Sequence, residues 1–450
     1  MLTSDLGYQI KPGVIFWFRN DLRLHDQLAL EHAIEQAQGM GGWLLPIYVH
    51  DERLHAHTPW GFKRTGKNRD AWIRMALDDL STHLTALGST LIEADGDPTL
   101  ILANLVRCLG NPLLVCEEIS APEEQDQVEA LRRCEVKVET VWQSTLMAPE
   151  VLPFLPENVP DRFTSFRQIL ERNGVRPTSP SGQIKALPDL PASGVIETCR
   201  AILPVAKTEV DLSSLSPDHR SSFPWGQSSF RAGEAAAFAH LKQYCRRGLP
   251  HSYKSTRNAL IGADYSSKWS PWLATGALSV RTAWAAICDF EVSNGASEST
   301  YWLSFELLWR DHFRWLHRKH GRKLYAARGL TDLPLAPHNR VSFERWRMAK
   351  TGNSFIDAGM RELATTGYIS NRIRQNVASF LIHDLGCDWR AGAAWFEASL
   401  IDYDVYSNQG NWLYLSGRGT DPRPNRRFNS MLQAKTYDLD GTYRALWANA

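Results

Sequence analysis

Short runs rich in apolar residues alternate with stretches of helical periodicity through the first 140 residues of the chain. The runs of strand length occupy positions 14–18, 43–49, 113–116 and 136–141, a pattern that is typical of strands buried on both faces. Apolar residues recur with helical spacing at positions 28–37, 71–87, 99–109 and 123–133. This alternation predicts a doubly wound, parallel α/β sheet.

Proline interrupts the alternation in the middle of the chain. Residues 149–224 contain 11 of the 23 prolines, which indicates a long connector that follows the protein surface. Beyond Phe230 the spacing is helical almost throughout, and this part carries most of the 17 tryptophans. The predicted fold class is therefore α/β plus all-α: an α/β domain over 1–142, an interdomain connector over 143–225 and a helical domain over 226–450.

The composition is that of an ordinary globular protein, with 43% apolar and 22% charged residues. No apolar run approaches the roughly 18 residues that a membrane span requires, and residues 1–12 show no signal-peptide pattern. None of the seven cysteines forms a C-x-x-C pair, which argues against a disulfide framework, a zinc finger or a cysteine-ligated cluster. We therefore expect a monomer without a metal in the reducing cytoplasm.

The net charge of +1 conceals an asymmetry between the two halves. Residues 1–225 carry 21 Lys and Arg against 30 Asp and Glu, a balance of −9, whereas residues 226–450 carry 29 against 19, a balance of +10. Two interpretations stay open, namely chance segregation of solvated charge and a C-terminal half that meets a polyanion.

The α/β part lacks a G-x-G-x-x-G fingerprint, and the nearest approach, the glycines at 39, 41 and 42, has the wrong spacing. We therefore expect this domain not to hold a dinucleotide in the Rossmann manner. Residues 17–26, W-F-R-N-D-L-R-L-H-D, follow the first predicted strand with a polar turn, which by itself indicates a solvated loop.

One stretch of the helical part combines residue types suited to an anion. Residues 265–276, Y-S-S-K-W-S-P-W-L-A-T-G, place hydroxyls and a lysine before a helix with Pro271 in its first turn. Free backbone amides and the helix dipole favour phosphate at such a position. Simple N-capping by Ser267 or Ser270 is the alternative.

A second stretch, F-E-L-L-W-R-D at 305–311, combines a carboxylate, a stacking surface and a cation. At helical spacing Glu306, Trp309 and Arg310 share a face. The alternative is an amphipathic helix with an internal Glu–Arg pair.

The most specific strings lie near the C-terminus. They are S-N-R-I-R-Q-N-V-A-S-F-L at 370–381 and D-Y-D-V-Y-S-N-Q-G-N-W at 402–412, with Tyr414 after the second. Carboxylates two residues apart, near amides and aromatic rings, suit the edges of a heterocycle. Together, and in this order, these segments resemble the photolyase/cryptochrome family over nearly the whole chain. The strings at 370–381 and 402–412 are most similar to its cryptochrome-DASH branch.

The resemblance implies FAD, folded in a U shape inside the helical domain. The residues that match the phosphate and ribose side are Tyr253, Ser266, Ser267, Lys268 and Ser270, with Arg310 near the diphosphate. Those that match the surroundings of the flavin ring are Asn371, Arg374, Asp402, Asp404 and Asn408. Arg374 and Asp402 correspond to an ion pair that tunes the charge of the flavin. The family pattern further implies that Asp404 accepts from the isoalloxazine edge and that Asn408 faces the reactive ring nitrogen.

The implied substrate is a cyclobutane pyrimidine dimer flipped out of the DNA strand, which is split by one electron from light-excited reduced flavin. The resemblance makes Glu306 a hydrogen-bond partner of the dimer and Trp309 a stacking surface for its bases. It places Arg257 and Arg372 at phosphates.

Two departures from photolyases that act on double strands accompany these matches. Gln375 stands in place of Met, and Tyr414 stands in place of a second stacking Trp. Both changes make the dimer pocket more polar and less suited to stacking. Single-stranded DNA avoids most of the cost of unpairing, so the departures predict repair preferentially in single strands. A blue-light photoreceptor whose flavin redox state controls DNA or protein binding is the alternative function, and the absence of a long tail after Trp447 disfavours it.

Two further expectations follow from the resemblance. The DASH branch implies methenyltetrahydrofolate as an antenna pigment, contacted by an acidic residue after the fourth strand, where Glu118 and Glu123 are both candidates. A charged loop that leads into a helix is the alternative for each of them.

The family also implies three tryptophans that carry electrons between FAD and the surface. Trp412 and Trp389 match the proximal and middle members, but the distal position falls on Ala336. We therefore expect a shortened chain, with Trp315 and Tyr325 as candidate substitutes.

Overall fold

The computed structural model describes residues 11–204, 218–421 and 427–448. Residues 1–10, which bear on the expected lack of a signal peptide, and residues 205–217 of the predicted connector lie outside the described residues.

Parallel strands form the sheet of the α/β domain, and the described residues contain five of them. They are β1 (Gly13–Phe18), β2 (Trp43–Asp51), β3 (Ile92–Gly96), β4 (Leu113–Glu117) and β5 (Val138–Val141), in the spatial order β3-β2-β1-β4-β5. The central strand β1 is buried along its whole length, as expected for a sheet covered on both faces. The predicted doubly wound sheet is confirmed.

The helices that cover this sheet lie where the apolar spacing predicts them. They are α1 (Leu28–Gly39), α2 (Lys67–Ala86), α3 (Pro98–Cys108) and α4 (Pro122–Arg133). Both α3 and α4 begin with a proline, a residue that suits the first turn because the first amides of a helix have no intrahelical acceptor. Strand β3 was not predicted, because its edge position leaves alternate residues of I-E-A-D-G partly exposed and removes the continuous apolar run.

The connector differs from the expected surface wrap. It contains α5 (Phe163–Arg172) and α6 (Ser193–Ile202), and it contributes large side chains to the core that the two domains share. These are Phe163, Phe166, Leu170, Phe223 and Trp225. The connector is therefore in part a structural layer.

The remainder is helical, as predicted. The helices are α7 (Glu234–Arg246), α8 (Tyr253–Thr256), α9 (Ser270–Thr275), α10 (Val280–Asn294), α11 (Glu298–His320), α12 (Arg340–Arg347), α13 (Ser354–Thr366), α14 (Asn371–Ser379), α15 (Trp389–Ser399), α16 (Val405–Leu415), α17 (Ser430–Tyr437) and α18 (Thr442–Leu446). The longest, α11, packs against α5, α8, α10 and α16. Side chains on its different faces therefore reach several parts of the molecule.

The polar turn after β1 is buried between the domains, so the expectation of a solvated loop at residues 17–26 is wrong. Asp26 accepts hydrogen bonds from Arg281 at 2.8 and 3.0 Å and from Ser279, and the side chains of this ion pair are 0% and 3% exposed. Arg23 donates to the carbonyl of Gly276 at 3.0 Å. Gly276 has a φ of 72°, and a Cβ there would lie 2.1 Å from a backbone oxygen of the turn. These contacts join the sheet to the helical domain.

Within the described ranges, the helices are too short or too polar to cross a membrane. The same residues contain no cluster of three or more His, Cys, Asp or Glu side chains that could hold a metal ion.

Candidate functional site

A cavity of about 510 Å³ opens in the helical domain and is called here the helical-domain cavity. Most of the residues predicted for FAD and DNA line it. They are Tyr253, Arg257, Ser266, Ser267, Lys268, Ser270, Glu306, Trp309, Arg310, Asn371, Arg372, Arg374, Gln375, Asp402 and Tyr414. Residues separated by more than 150 positions in the sequence thus meet in one place.

The serine-rich loop before α9 presents its polar groups to the cavity. Neither Ser267 nor Ser270 caps this helix, because the position before it is Trp269 and no side chain accepts from its first amides. The capping alternative is therefore wrong. Lys268 is 2% exposed, has a left-handed φ of 58°, and places Nζ 3.2 Å from the centre of the Tyr265 ring. Burial lowers the pKa of Lys268 well below its usual range.

The predicted ion pair beside the flavin ring is present. Arg374 donates to Asp402 at 2.8 Å and to the carbonyl of Ile369 at 3.0 Å. Arg374 lies in the first turn of α14, which Ser370 caps through the amide of Ile373. The second carboxylate oxygen of Asp402 is buried and has no hydrogen-bond partner among the described residues, so it is available to a ligand.

Positive charge accumulates where α11 passes the cavity. Arg310 is bound only through carbonyl acceptors, since its guanidinium donates to Ser144 at 2.6 Å and to Leu273 at 3.4 Å. Burial, reinforced by the neighbouring Arg314, lowers the pKa of Arg310 to about 9. An anionic ligand beside Arg310 would relieve this repulsion.

Glu306 lies on the side of the cavity predicted for the DNA. It forms an ion pair with Arg257, so the alternative of a Glu–Arg pair within α11 is wrong. Burial raises the pKa of Glu306, and Arg257 opposes that change. The guanidinium of Arg257 lies 4.4 Å above the ring of Trp302, which fixes the cation between a carboxylate and an aromatic face.

Four more residues that are predicted to contact DNA line the same cavity. Arg372 donates to the side chain of Gln375 at 3.1 Å and to that of Asn258 at 2.9 Å. The ring of Trp309 stacks on Phe163 with a centroid distance of 3.8 Å and an interplanar angle of 15°. Tyr414 meets Trp309 edge-on at 6.3 Å. The residues predicted to contact the dimer therefore line one cavity.

Asp404 and Asn408 are not among the residues that line the helical-domain cavity, and their contacts with the flavin stay predictions. Asp404 caps α16 at the amide of Ser407 and pairs with Arg314 at 2.5 Å. Burial opposes the ionisation of Asp404, but Arg314 and Arg310 outweigh it and lower the pKa to about 2. Asn408 donates to the carbonyl of Ala393 at 3.1 Å and lines the cleft toward the α/β domain.

The face of α16 that does reach the cavity carries Ser407, Asn411 and Tyr414. The first two were not predicted. Ser407 lies four residues before Asn411, and Asn411 lies three residues before Tyr414. This spacing is the sequence signal that identifies them, because side chains so spaced share a helix face. Tyr368 and Trp302 also line the cavity and lie outside the strings that carry the resemblance.

The tryptophans predicted for electron transfer are both buried in the core of the helical domain. Trp412 and Trp389 are each 1% exposed and belong to one apolar cluster, with Ala336 packed at its margin. Of the candidate substitutes, Trp315 packs on Trp142 at 5.3 Å, away from this cluster, and Tyr325 lines the cleft between the domains.

That cleft, called here the interdomain cavity, has a volume of about 440 Å³. It lies at the carboxyl ends of β1 and β2 and is lined by residues of both domains, including Trp17, Tyr48, Arg53 and Glu123. Glu118 is not among its lining residues and lies 3.9 Å from Arg318. Of the two antenna candidates, Glu123 therefore borders the interdomain cavity.

Comparison with known proteins agrees with this architecture. The family model described as DNA photolyase matches residues 14–183, and the model described as the FAD binding domain of DNA photolyase matches residues 302–450. A cryptochrome DASH of Xenopus laevis is 42% identical over 446 residues, which are 96% of this chain and 82% of the frog protein. A cryptochrome DASH of Danio rerio is 41% identical, over 96% of this chain and 82% of the fish protein.

Solved structures show the same likeness. A crystal structure of a Synechocystis cryptochrome superposes with a TM-score of 0.89 at 38% identity, covering 98% of this chain and 89% of that one. A bacterial class III photolyase from Agrobacterium tumefaciens gives a TM-score of 0.75 at 28% identity, covering 99% and 88%. With both family domains present, and with cryptochrome DASH relatives matching nearly its full length, the chain belongs to the photolyase/cryptochrome family.

Proposed function

We propose that the protein is an FAD-dependent lyase that uses blue light to split cyclobutane pyrimidine dimers, preferentially in single-stranded DNA. The observation that carries the proposal is the composition of the helical-domain cavity. The Glu306–Arg257 pair and Trp309 form its DNA side, and the Arg374–Asp402 pair lies on the same cavity.

The cavity suits the FAD that this domain family binds. The buried Nζ of Lys268 and one oxygen of Asp402 have no hydrogen-bond partner among the described residues, and unpartnered buried polar groups are costly. Lys268 and Arg310 would hold the diphosphate, and Asp402 would accept from the flavin ring. When bound, FAD supplies light absorption and a reversible one-electron transfer.

The residues of the DNA side would bind and orient the substrate. Trp309 offers a flat surface for a flipped base, and base–aromatic stacking contributes about 1–3 kcal/mol per base. Glu306 offers a carboxylate, held by Arg257, that can accept a hydrogen bond from an N–H group of a base. Arg257 and Arg372 supply positive charge for the phosphates on either side.

The preference for single strands follows from Gln375 and Tyr414. Gln375 is held by Arg372, and Tyr414 presents a smaller ring than tryptophan, edge-on to Trp309. A pocket with this lining offers less stacking energy to offset the unpairing of a duplex. Unpaired DNA does not incur that cost.

We also propose that the interdomain cavity holds an antenna pigment, methenyltetrahydrofolate, with Glu123 as its acidic contact. Glu123 pairs with Arg64 at 2.9 Å at the border of this cavity. Removal of the pigment, or the substitution Glu123→Gln, is expected to lower the yield of repair per incident photon without changing repair in saturating light. Absorption and action spectra of the purified protein test this.

The free thiols of all seven cysteines support a reducing cytoplasmic location, and we propose that the protein acts there as a monomer. Light scattering of the purified, flavin-loaded protein tests the oligomeric state.

The decisive experiment is an illuminated repair assay on one oligonucleotide that carries a single dimer, offered as single strand and as duplex. We expect repair of the single strand and much slower repair of the duplex. Glu306→Gln should slow repair by at least about 10-fold, whereas Glu298→Gln, on the exposed first turn of the same helix, should not.

Equal rates on both forms would contradict the strand preference. Light-dependent redox change of the flavin without repair of either form would instead support the photoreceptor alternative.

A further inference from the structure

The connector packs behind the residues that line the helical-domain cavity, where Phe163 contacts Trp309. We propose that Phe163 is a positioning residue for the substrate, which holds the ring of Trp309 so that its free face meets the flipped base. The proposal rests on the function proposed above, because it requires that Trp309 contact the base. It assigns to the connector a part in recognising the lesion.

The contact between the two rings is close and parallel. Their centroids are 3.8 Å apart and their planes differ by 15°, so Phe163 covers one face of Trp309. Phe163 is only 6% exposed, whereas Trp309 is partly exposed and lines the cavity. Phe305 meets Phe163 edge-on at 5.0 Å, which restricts rotation of the phenyl ring. Phe313 approaches the indole at 5.6 Å with an interplanar angle of 39°, and the part of the indole that stays exposed in the cavity is available to a substrate base.

The backbone around Phe163 is fastened to α11, the helix that carries Trp309. Lys319 donates to the carbonyl of Val159 at 2.8 Å and His312 bonds to that of Pro160 at 2.8 Å. One helical turn beyond Phe163, Arg167 bonds to the hydroxyl of Tyr301 at 2.8 Å. The phenyl ring is thus fixed relative to α11 at points on either side of it in the sequence.

This arrangement has an energetic consequence for binding. A side chain that is already fixed in its bound orientation loses less conformational entropy when the ligand arrives. An aromatic pair contributes about 0.5–1.5 kcal/mol beyond its buried area. Loss of the flat partner should therefore weaken recognition of the dimer by about 2- to 10-fold.

The test measures dark binding of the flavin-loaded protein to a single-stranded oligothymidylate, with and without one cyclobutane dimer. The ratio of the two dissociation constants reports recognition of the lesion and does not depend on light or repair. Phe163→Leu keeps an apolar side chain but removes the flat face, and we expect the ratio to fall by about 2- to 10-fold. Phe163→Tyr keeps the face and should preserve the ratio. Phe163→Met is a milder replacement for use if the leucine variant folds poorly.

The matched control is Phe166→Leu in the same helix. Phe166 is fully buried and packs on Phe154 and His312, so its loss should lower the thermal stability without changing the ratio. A double-mutant cycle with Trp309→Leu measures whether the effects of the two residues on the ratio are coupled. If Phe163 acts through Trp309, then Phe163→Leu changes nothing further in the Trp309→Leu protein.

Three outcomes contradict the inference. Equal ratios of the dissociation constants in the Phe163→Leu and Phe166→Leu proteins would contradict the inference. So would additive losses of that ratio in the double-mutant cycle. Both outcomes leave the proposed function intact. An unchanged ratio in the Trp309→Leu protein contradicts the role of Trp309 in the proposed function, and this inference fails with it.

Discussion

At the scale of single residues, Lys268 is the side chain whose surroundings favour the proposed anionic ligand of the helical-domain cavity. Its left-handed backbone conformation is uncommon for a residue other than glycine, and it directs a nearly inaccessible ammonium group across the ring of Tyr265. A cation–π contact offsets only part of the cost of burying the charge. The remaining cost is recovered when an anion occupies the cavity.

We therefore expect Lys268→Met to weaken FAD binding by about 10-fold or more, since hydrogen bonds to charged groups contribute about 1.5–3 kcal/mol. Burial lowers the pKa of Lys268, and an anionic ligand would raise it, so binding would take up a proton. Affinity should then decrease as the pH rises above that lowered pKa, and Lys268→Met should remove this dependence.

Equilibrium dialysis of FAD at pH 7 and pH 9 measures both effects. Lys254→Met is the control, because Lys254 forms an exposed ion pair with Glu298. A Lys268→Met protein with unchanged affinity at both pH values would contradict the assignment.

At the scale of elements, the phase of a helix decides which residues reach a site. The strings at 370–381 and 402–412 contain most of α14 and α16, but only some of their residues reach the helical-domain cavity. Asp404 and Asn408 hydrogen-bond to Arg314 and to the carbonyl of Ala393, whereas Ser407 and Asn411 line that cavity. Successive residues of a helix point about 100° apart, so a motif that fixes the helix does not fix the face.

The sequence predicted the elements that are determined by residues close together in the chain. Strands β1, β2 and β4 were visible as apolar runs, whereas β3 was hidden by its half-exposed edge position. The residues around Phe163 in the sequence did not indicate its proposed role, because that role depends on α5 packing against α11. Likewise, the polar turn at 17–26 is buried only because Arg281, more than 250 residues away, pairs with Asp26.

That ion pair permits a prediction about stability. Removing one partner of a buried pair leaves an uncompensated charge, at a cost of about 3–5 kcal/mol. We expect Arg281→Met to lower the free energy of unfolding by about this amount, because Asp26 remains buried. Arg132→Met, which removes an exposed pair with Glu129, should have little effect. Urea denaturation followed by circular dichroism measures both, and equal effects would show that the pair does not join the domains.

The electron route gives a second prediction at the scale of elements. Trp389 donates to the carbonyl of Ala327 at 3.3 Å, and Ala336 packs against the apolar cluster that contains Trp389. If the segment that contains Ala336 lacks the last carrier, Ala336→Trp should lengthen the lifetime of the light-generated tryptophan radical, and Trp389→Phe should abolish the gain. Transient absorption with a thiol reductant measures the lifetime.

A long-lived radical in the unaltered protein, unchanged by Ala336→Trp, would contradict the shortened chain. Phe396 lies 5.1 Å from Trp412 and 6.5 Å from Trp346, which makes the buried Trp346 a candidate intermediate of another route.

At the scale of the whole molecule, the opposite net charges of the two halves of the sequence bear on the proposed binding of DNA. The basic half contains the helical-domain cavity, and Arg257 and Arg372 line it. The acidic half carries the sheet. A polyanion should therefore approach the cavity in preferred orientations.

We expect the affinity for single-stranded DNA to fall linearly with salt on a double-logarithmic plot, by about 0.7 for each phosphate neutralised. Arg372→Ala should reduce that slope by close to one contact and weaken damaged and undamaged strands alike. Arg322→Ala, at an exposed pair with Asp126, is the control. Fluorescence anisotropy titrations at several salt concentrations measure the slopes, and an unchanged slope for Arg372→Ala would place its charge away from the phosphates.

The shared core has a consequence for the way the protein comes apart. Val14 and Phe16 of the sheet, Phe166 of the connector and Trp272 and Trp315 of the helical part belong to one apolar cluster. A chain cut at the end of the sheet would expose this cluster to water and offer it to other molecules. We therefore regard the two domains as one cooperative folding unit, in which heating should produce a single calorimetric transition and separately expressed halves should aggregate.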